Sequence, residues 1–297
     1  MSLAQGSPRV SVIVPHFNDL LRLDHCLACL GAQTFPRDQC EIIVADNGSP
    51  QGEDAVQAVI AGRARLVIAK EKGAGPARNA GVAAARGEIL AFTDADCLPE
   101  PSWLAEGVDA LGRYDLVGGQ VSVVVADPDR PSAVEAFEAV FAFDNETYVN
   151  RLGFTVTANL FCPKALFERV GGFRTGVSED LDWSHRARDA GYRLGYASAA
   201  GVGHPARASW AELRAKWRRL NSETLGLQSN TPAGRLKWAL RSLLMPASAI
   251  VHTPKVMLSS KLRGWPARLG ALMVLYRLRT WRAFDGLRLL TRSGPLA

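Results

Sequence analysis

Short apolar runs alternate with amphipathic segments through the first hundred residues of the chain. The segments between the runs carry apolar residues at helical spacing, as Leu20, Leu23, Leu27 and Leu30 do. Strands that alternate with helices predict βαβ units, an α/β fold with a mostly parallel sheet, and ligand sites beyond the carboxyl ends of the strands. The runs that predict buried strands occupy residues 9–15, 41–45, 65–69 and 88–93.

The alternation loosens after residue 125, where a turn-rich segment follows an apolar run. From Ser209 onward every apolar pattern is helical. We therefore expect an α/β domain over residues 1–206 and a helical extension over residues 207–297. Within the second half of the α/β domain the patterns predict helices over 132–145, 165–170 and 180–190, and two short strands over 192–196 and 201–203.

The distribution of charge changes at the same boundary. Residues 207–297 hold 13 arginines and 4 lysines against three acidic residues, a net charge of +14. Because the whole chain carries +6, residues 1–206 carry −8. Five of the seven tryptophans also follow residue 206. A basic, tryptophan-rich segment indicates an anionic partner, either a membrane surface or a nucleic acid.

Composition excludes several classes of protein. A content of 47% hydrophobic and 22% charged residues excludes a disordered chain. The longest uncharged stretch of the C-terminal third, residues 242–254, is too short for a membrane span of about 20 residues. The five cysteines are an odd number without an export signal, which predicts reduced thiols in a cytoplasmic protein. Cys26 and Cys29 lie among helical leucines, which favours core packing over zinc or redox chemistry.

Asp94 and Asp96 follow the fourth predicted strand. Two residues apart at a strand end, their carboxylates point the same way. Carboxylate pairs at the ligand edge of an α/β sheet suit Mg²⁺ or Mn²⁺, which share their oxygens with substrate phosphates. The alternative is a solvated turn in which these residues cap a helix.

The glycine-rich segment 73–81 suggests a dinucleotide-binding loop, but its details disfavour that interpretation. Arg78 stands at the third glycine position, Pro76 lies inside the loop, and the segment follows the third strand rather than the first. An NAD(P) oxidoreductase is therefore a weak alternative. An arginine at the start of a helix still indicates a diphosphate ligand, because guanidinium and helix dipole both attract anions.

Three further residues are candidates for chemistry. Glu179 and Asp180 open a predicted helix, where acidic residues suit the helix dipole; the alternative is a general base that faces a cleft. His204 follows the last predicted strand and, together with the upstream carboxylates, is a candidate third metal ligand.

Together these segments resemble the inverting glycosyltransferases of family 2, which have the GT-A fold. The resemblance covers residues 9 to about 206. It implies a donor-nucleotide half over residues 9–100, an acceptor half over residues 101–206, and an inverting, metal-dependent hexosyltransferase. The segments that carry it are residues 10–18, 42–49, 75–81, 92–96, 157–159, 170–173 and 179–180.

The resemblance also implies individual roles. Asp46 would bind the nucleotide base, usually uracil, and Asp180 would be the catalytic base. The donor would be a nucleotide sugar, the cofactor Mn²⁺ or Mg²⁺, and the acceptor a glycan or a lipid-linked sugar. Further donor-binding residues would be Pro15, Phe17, Asn18, Arg78 and Asp94; the metal ligands Asp94, Asp96 and His204; and the acceptor-binding residues Asn159, Glu179 and Trp183.

The chain departs from the family pattern at three places. His16 stands where a small or hydroxylated residue is frequent, Asn47 replaces a frequent acid, and residues 162–164 replace a common basic pair. These departures affect the expected details of base and acceptor recognition. A non-catalytic sugar-nucleotide-binding or scaffold protein of the same fold is the alternative function.

The extension predicts a membrane-binding segment. Trp210, Leu213, Trp217 and Leu220 share one helical face, and basic amphipathic helices of this kind lie in the headgroup plane of a membrane. We expect a peripheral protein on the inner face of the cell membrane that makes a surface polysaccharide or glycolipid. The alternative is packing on the catalytic domain or in a homo-oligomer; the acidic first part disfavours nucleic acid. A second apolar cluster comprises Leu269, Leu272, Met273, Leu275 and Tyr276.

Overall fold

The structure is a computed structural model that describes residues 7–226 and 231–291. Its first half contains four parallel strands in the order β3-β2-β1-β4. All four predicted strands are confirmed, with bounds that shift by one residue at most. They are β1 (Val10–His16), β2 (Cys40–Asp46), β3 (Arg65–Ile68) and β4 (Ile89–Phe92).

Three helices connect these strands: α1 (Leu20–Gly31), α2 (Glu53–Ile60) and α3 (Ala74–Ala84). The side chain of Asp19 caps α1 by accepting a hydrogen bond from the backbone nitrogen of Arg22. Helix α3 begins at Ala74, with Gly73 at a φ of 123° as its N-cap. Pro76 fits in its first turn, where a missing N–H costs nothing. A Cβ at Gly81 would clash with Ile13, so this glycine lets α3 pack closely on β1.

The second half of the sheet is antiparallel and extends the order through β7, β6, β8 and β5. The prediction of two short strands over 192–196 and 201–203 is wrong, because one continuous strand, residues 194–205, includes most of both ranges. Exposed Ser198 and Ala199 interrupt its buried positions, which is why the apolar pattern breaks there. The strands are β5 (Leu98–Pro99), β6 (Leu116–Val124), β7 (Leu160–Pro163) and β8 (Leu194–Pro205).

An aromatic cluster forms the core beside the sheet. Trp183 stacks on Phe167 at 5.3 Å between ring centroids, and Phe173 packs edge-on against Phe92 at 5.5 Å. Both predicted helices of this region are confirmed as α7 and α8. The helices of the second half are α4 (Trp103–Ala110), α6 (Asn145–Thr147, followed by a π-helix at Tyr148–Leu152), α7 (Lys164–Val170) and α8 (Glu179–Asp189).

A second compact unit comprises residues 123–143, 176–178 and the chain from residue 205. From Trp210 onward its described elements are all helices, as predicted from Ser209 onward. A capping box of Ser132 and Glu135 starts its first helix, which ends at Phe141 rather than at the predicted residue 145. None of the described helices is long and apolar enough to cross a membrane. The helices are α5 (Ala133–Phe141), α9 (Trp210–Gly226), α10 (Pro232–Leu243), α11 (Met245–Met257) and α12 (Gly264–Thr291).

The apolar face of α9 packs against the core of this unit. Leu213 is fully buried, Arg277 lies 4.1 Å from the ring centroid of Trp210, and Arg282 lies 3.8 Å from that of Trp217. These cation–π contacts attach α9 to α12. The predicted tryptophan face of α9 is therefore a packing face, not a surface open to lipid.

A buried carboxylate organises the start of α9. Glu138 is only 1% exposed and accepts hydrogen bonds from Arg207 (Nη1, 3.1 Å) and Lys216 (Nζ, 3.1 Å). Burial by itself would raise the pKa of Glu138, but these two cations lower it below its ordinary value. Because the folded pKa is lowered, the stabilisation exists above the pKa of the unfolded chain and is lost as the pH falls through the folded value.

We expect Glu138→Ala to lower the free energy of unfolding by about 3–5 kcal/mol, since it leaves two cations without their buried partner. Urea unfolding at pH 7 measures this loss. The exposed Glu106 provides a matched control, and Glu106→Ala should change the stability by less than about 0.5 kcal/mol. Equal stabilities of the two variants would contradict the role of Glu138.

Candidate active site

The polar residues predicted at the strand ends meet at one edge of the sheet. His16 and Asp46 are paired in register at the ends of β1 and β2, and Asp94 follows β4 two residues after Phe92. The amino end of α3 starts from the same edge. The parallel register therefore brings together residues from four separate segments, as expected for a ligand site of an α/β sheet.

Asp46 is held by donors from its own chain. His16 Nδ1 lies 2.8 Å from Asp46 Oδ1, and the Ser49 hydroxyl donates to the same oxygen at 2.5 Å. Backbone nitrogens of Gly48 and Ser49 donate to Oδ2. His16 Nε2 accepts from Asp19 N, so Nδ1 carries the proton. Burial would raise the pKa of Asp46, but the hydrogen bonds from Ser49 and His16 lower it.

Asp46 is 2% exposed. The predicted base-binding residue thus lies below the surface and is hydrogen-bonded to His16. The sequence indicated His16 only as a departure from the family pattern. Ser49 was not singled out, although it follows Asp46 by three residues in a loop-forming cluster, a spacing that often allows local hydrogen bonds.

Phe17 and Asn18 form the exposed rim above this network. Phe17 is 54% exposed, with Lys72 Nζ 5.6 Å from its ring centroid. Asn18 has a φ of 58°, and its backbone nitrogen donates to Ser49 Oγ. An open aromatic face beside a cation suits a flat, negatively charged ligand. Lys72, which sequence reasoning missed, comes from the loop before α3.

Arg78 is buried among three carboxylates. Its guanidinium forms ion pairs with Asp94 (2.5 Å) and with Glu179, and its side chain is 4% exposed. Burial alone would lower the pKa of Arg78, but Asp94 and Glu179 raise it further, so the cation persists. Its Nε has no hydrogen-bond partner within the described residues. Arg78 therefore joins Asp94 of the predicted donor half to Glu179 of the predicted acceptor half.

Asp180 lies next to this arginine. Both the backbone nitrogen (3.2 Å) and the hydroxyl (2.8 Å) of Thr157 donate to its Oδ1. Burial raises the pKa of Asp180 to about 6, although Arg78 and the Thr157 hydroxyl act in the opposite direction. A carboxylate with a pKa near 6 is largely ionised at neutral pH and still accepts a proton readily, as a general base requires.

Two predicted acceptor-binding residues belong to the core instead. Trp183 is 0% exposed and donates its indole N–H to the carbonyl of Gly171. Asn159 is also 0% exposed, and its amide donates to the carbonyls of Gln120 and Ala200 while accepting from Trp103. Neither side chain leaves a surface for an acceptor. Their long-range partners explain the error, since no local pattern encodes them.

The metal candidates assemble through the pairing of β5 with β8. Leu98 is opposite Gly203 in this antiparallel pair, which brings Asp96 to His204, with 3.7 Å between Oδ2 and Nε2. Cys97 completes a group whose potential ligand atoms lie within 4.8 Å of one another. Asp94, the third predicted ligand, is instead paired with Arg78.

The donor set fits a hard divalent cation. Carboxylate and imidazole are suitable ligands for Mn²⁺ or Mg²⁺, and one or two protein ligands leave positions for water and phosphate oxygens. Burial raises the pKa of the Cys97 thiol well above its ordinary value. Cys97 was missed by sequence reasoning, although it directly follows Asp96.

The sequence model of glycosyl transferase family 2 matches residues 11–175, more than half of the chain. The chain therefore belongs to glycosyl transferase family 2 and is a glycosyltransferase. The chain is 32% identical over 219 residues to glycosyltransferase AglE of Haloferax volcanii, with 71% of each protein covered. It is 28% identical to validoxylamine A glucosyltransferase of Streptomyces hygroscopicus, over 63% of this chain and 51% of that protein.

Solved structures share the fold. A mannosyltransferase of Pyrobaculum calidifontis, described in complex with GDP-Man and Mn²⁺, superposes with a TM-score of 0.58 at 23% identity, over 95% of this chain and 85% of that chain. TarS of S. aureus gives a TM-score of 0.54 at 16% identity, over 93% of this chain and 54% of that chain. The predicted GT-A fold is confirmed, and the group formed by Asp96, Cys97 and His204 is compatible with a divalent metal.

We expect Asn159→Ala to destabilise the fold by about 2–4 kcal/mol, because Trp103 and two strand carbonyls lose their buried partner. Chemical unfolding measures the loss, with the exposed Asn150→Ala as control. Unchanged stability, combined with a raised KM for an acceptor, would instead restore Asn159 to the acceptor site.

Proposed function

We propose that the chain transfers a hexosyl group from a nucleoside-diphosphate sugar to a hydroxyl of a glycan or lipid-linked acceptor, with inversion at the anomeric carbon. The observation that carries this proposal is that the buried Arg78 pairs with two carboxylates, those of Asp94 and Glu179. Beside them lies Asp180, a candidate base with a pKa of about 6. The nucleotide sugar and Mn²⁺ in the P. calidifontis structure agree with it.

The donor would occupy the edge formed by β1, β2 and α3. Phe17 and Pro15 would contact the base, Asn18 and Asp94 would bind near the ribose, and Arg78 would face the diphosphate. The unpaired Nε of Arg78 supports this role, since a buried guanidinium N–H without an acceptor is costly. Because Asp46 is buried, it would influence the nucleotide base indirectly, through its hydrogen bonds with His16 and Ser49. The usual family donor carries uracil, and UDP is our proposed carrier.

Asp96 and His204 would hold Mn²⁺ or Mg²⁺ between β5 and β8. A bound divalent cation supplies positive charge for the leaving diphosphate. Arg78 adds a second, permanent positive charge on the same side. This charge matters because a nucleoside diphosphate is a good leaving group only when its developing negative charge is compensated.

Asp180 would act as the base in a single displacement. The acceptor oxygen forms a bond to the anomeric carbon as the bond from that carbon to the diphosphate oxygen breaks, and the hydroxyl proton passes to Asp180. Thr157 fixes Oδ1 of this carboxylate, which leaves Oδ2 for the acceptor proton. One displacement inverts the configuration without a covalent sugar–enzyme intermediate.

We expect Asp96→Ala to abolish the Mn²⁺-dependent part of UDP or UDP-sugar binding while the fold survives, because this partly exposed carboxylate serves the ion rather than the core. Isothermal titration with and without Mn²⁺ measures the effect. Asp109→Ala, at an exposed carboxylate, should bind like the parent. Equal Mn²⁺-dependent affinity of Asp96→Ala and parent would refute the metal role.

We expect Asp180→Asn to leave donor binding nearly intact and to reduce transfer by roughly 10²–10⁴, the scale of a positioned base. In the parent, kcat/KM should rise with pH around a midpoint near 6, since only the ionised carboxylate accepts the proton. Asp182, paired with Arg186 at 2.9 Å, provides the control variant Asp182→Asn. A loss below tenfold in Asp180→Asn would place the base elsewhere.

A further inference from the structure

Exposed large apolar side chains are concentrated in the last three helices. The described parts of the chain expose 17 such residues, of which 12 lie in α10–α12 or the residues adjoining them. Soluble monomers rarely expose extended apolar surfaces except where they meet a partner or lipid. We call these 12 residues the outward face: Leu236, Leu240, Leu243, Leu244, Ile250, Val251, Leu258, Trp265, Leu269, Met273, Tyr276 and Phe284.

Helices α10 and α11 are each apolar on two sides. On α10, Leu236, Leu240 and Leu243 recur at helical spacing and are 52–62% exposed, while Trp238 packs inward. On α11, Ile250 and Val251 are 66% and 75% exposed. Inward positions such as Ala249 and Val256 are fully buried. The second apolar side therefore has no packing role in this unit.

Helix α12 repeats this arrangement over its whole length. Trp265, Leu269 and Met273 follow one another at four-residue spacing and are 59–65% exposed, and Phe284 continues the row at 70%. The opposite side, which includes Leu275 and Leu278, is buried against α5 and α11. Of the predicted cluster in this helix, Leu275 is thus core, whereas Leu269, Met273 and Tyr276 face outward.

The three helices that carry the exposed rows pack against one another. The hydroxyl of Tyr276, in the exposed row of α12, lies 3.0 Å from that of Thr253 on α11. Helix α10 packs near the carboxyl end of α12, where the indole N–H of Trp238 donates to the carbonyl of Gly286. Phe284 stands in the exposed row near this contact. The outward face is therefore shared by three neighbouring helices.

Cations accompany the outward face, and one of them, Arg263, pairs with the exposed Asp129 at 2.7 Å. Residues 231–291 contain eleven arginines and lysines and one acidic residue, Asp285. Asp285 is 9% exposed and accepts a hydrogen bond from Asn221. Exposed Lys237, Arg241 and Arg277 lie beside the apolar rows on their own helices.

We propose that the outward face inserts into the headgroup region of an anionic lipid bilayer, with α10, α11 and α12 lying in the membrane plane. None of the described helices can cross a bilayer, so interfacial insertion is the mode that fits apolar rows with basic borders. Cations at the borders reach anionic headgroups while the apolar side chains enter the acyl boundary.

Charge favours lipid over a second copy of the chain as the occupant. Two outward faces joined by a twofold axis would bring identical basic borders together, because a symmetric interface uses the same patch twice. No accessible acid of residues 231–291 is present to offset this repulsion. Anionic lipid supplies the missing negative charge.

Vesicle sedimentation with the full chain tests the proposal. We expect binding to vesicles of phosphatidylcholine with phosphatidylglycerol, weaker binding to phosphatidylcholine alone, and reduced but measurable binding in high salt, since salt screens only the charge contribution. Brominated acyl chains should quench tryptophan emission, and Trp265→Phe should remove most of that quenching, because Trp265 is the only exposed tryptophan of the seven, all of which are described.

The double variant Leu240→Asp/Leu269→Asp should weaken vesicle binding by roughly tenfold or more, since it places charge in both apolar rows. Leu21→Asp, at a leucine on α1 that is even more exposed (68%), should bind like the parent. Far-ultraviolet circular dichroism confirms that each variant folds. Absence of parent binding, equal loss in Leu21→Asp, or a parent dimer that the double variant dissociates without lipid would overturn the proposal, the last in favour of a second copy.

Discussion

The ion pairs of Arg78 are the interaction on which the candidate site depends. A guanidinium that is 4% exposed is costly to bury unless carboxylates compensate its charge, and here Asp94 and Glu179 do so from two separate segments of the chain. The requirement fixes the loop after β4 and the first turn of α8 with respect to α3. Asn79 strengthens the same connection, because its side chain exchanges two hydrogen bonds with the backbone of Phe173.

This arrangement separates the roles of the two aspartates that end the fourth strand segment. Asp94 compensates Arg78, whereas Asp96 turns towards His204 because β5 pairs with β8. The spacing of two residues suggests one shared function, but each carboxylate has a different partner, Arg78 for Asp94 and His204 for Asp96. The same arginine lowers the pKa of Asp180 against the effect of burial, so the charge of one buried cation acts on both Asp94 and Asp180.

The parallel half of the sheet could be predicted from sequence because its strands are short, apolar and bounded by turn residues, all of which are local signals. The position of Asp46 and Asp94 at the ends of those strands could be predicted for the same reason. Asn159 and Trp183 were assigned to the acceptor site, yet both are core residues, since their partners are distant in sequence: Trp103 and Ala200 for Asn159, and Gly171 with the aromatic cluster for Trp183. Strand β8 was divided because its small central residues have a weak strand preference that tertiary pairing overrides.

The helical unit shows a further limit of sequence patterns. A helix with one apolar face has one packing solution, but α12 is apolar on opposite sides, with Leu275 and Leu278 buried while Leu269 and Met273 are exposed. Which of the two apolar sides is buried depends on how the neighbouring helices pack, and the spacing of apolar residues along α12 does not show this. Arg277 and Arg282 cover the tryptophans of α9, which makes a nominally membrane-like tryptophan face part of the interior. Once α9 and α5 occupy one side of α12, the remaining apolar row has no place inside the unit, and its exposure follows from the packing rather than from any single residue.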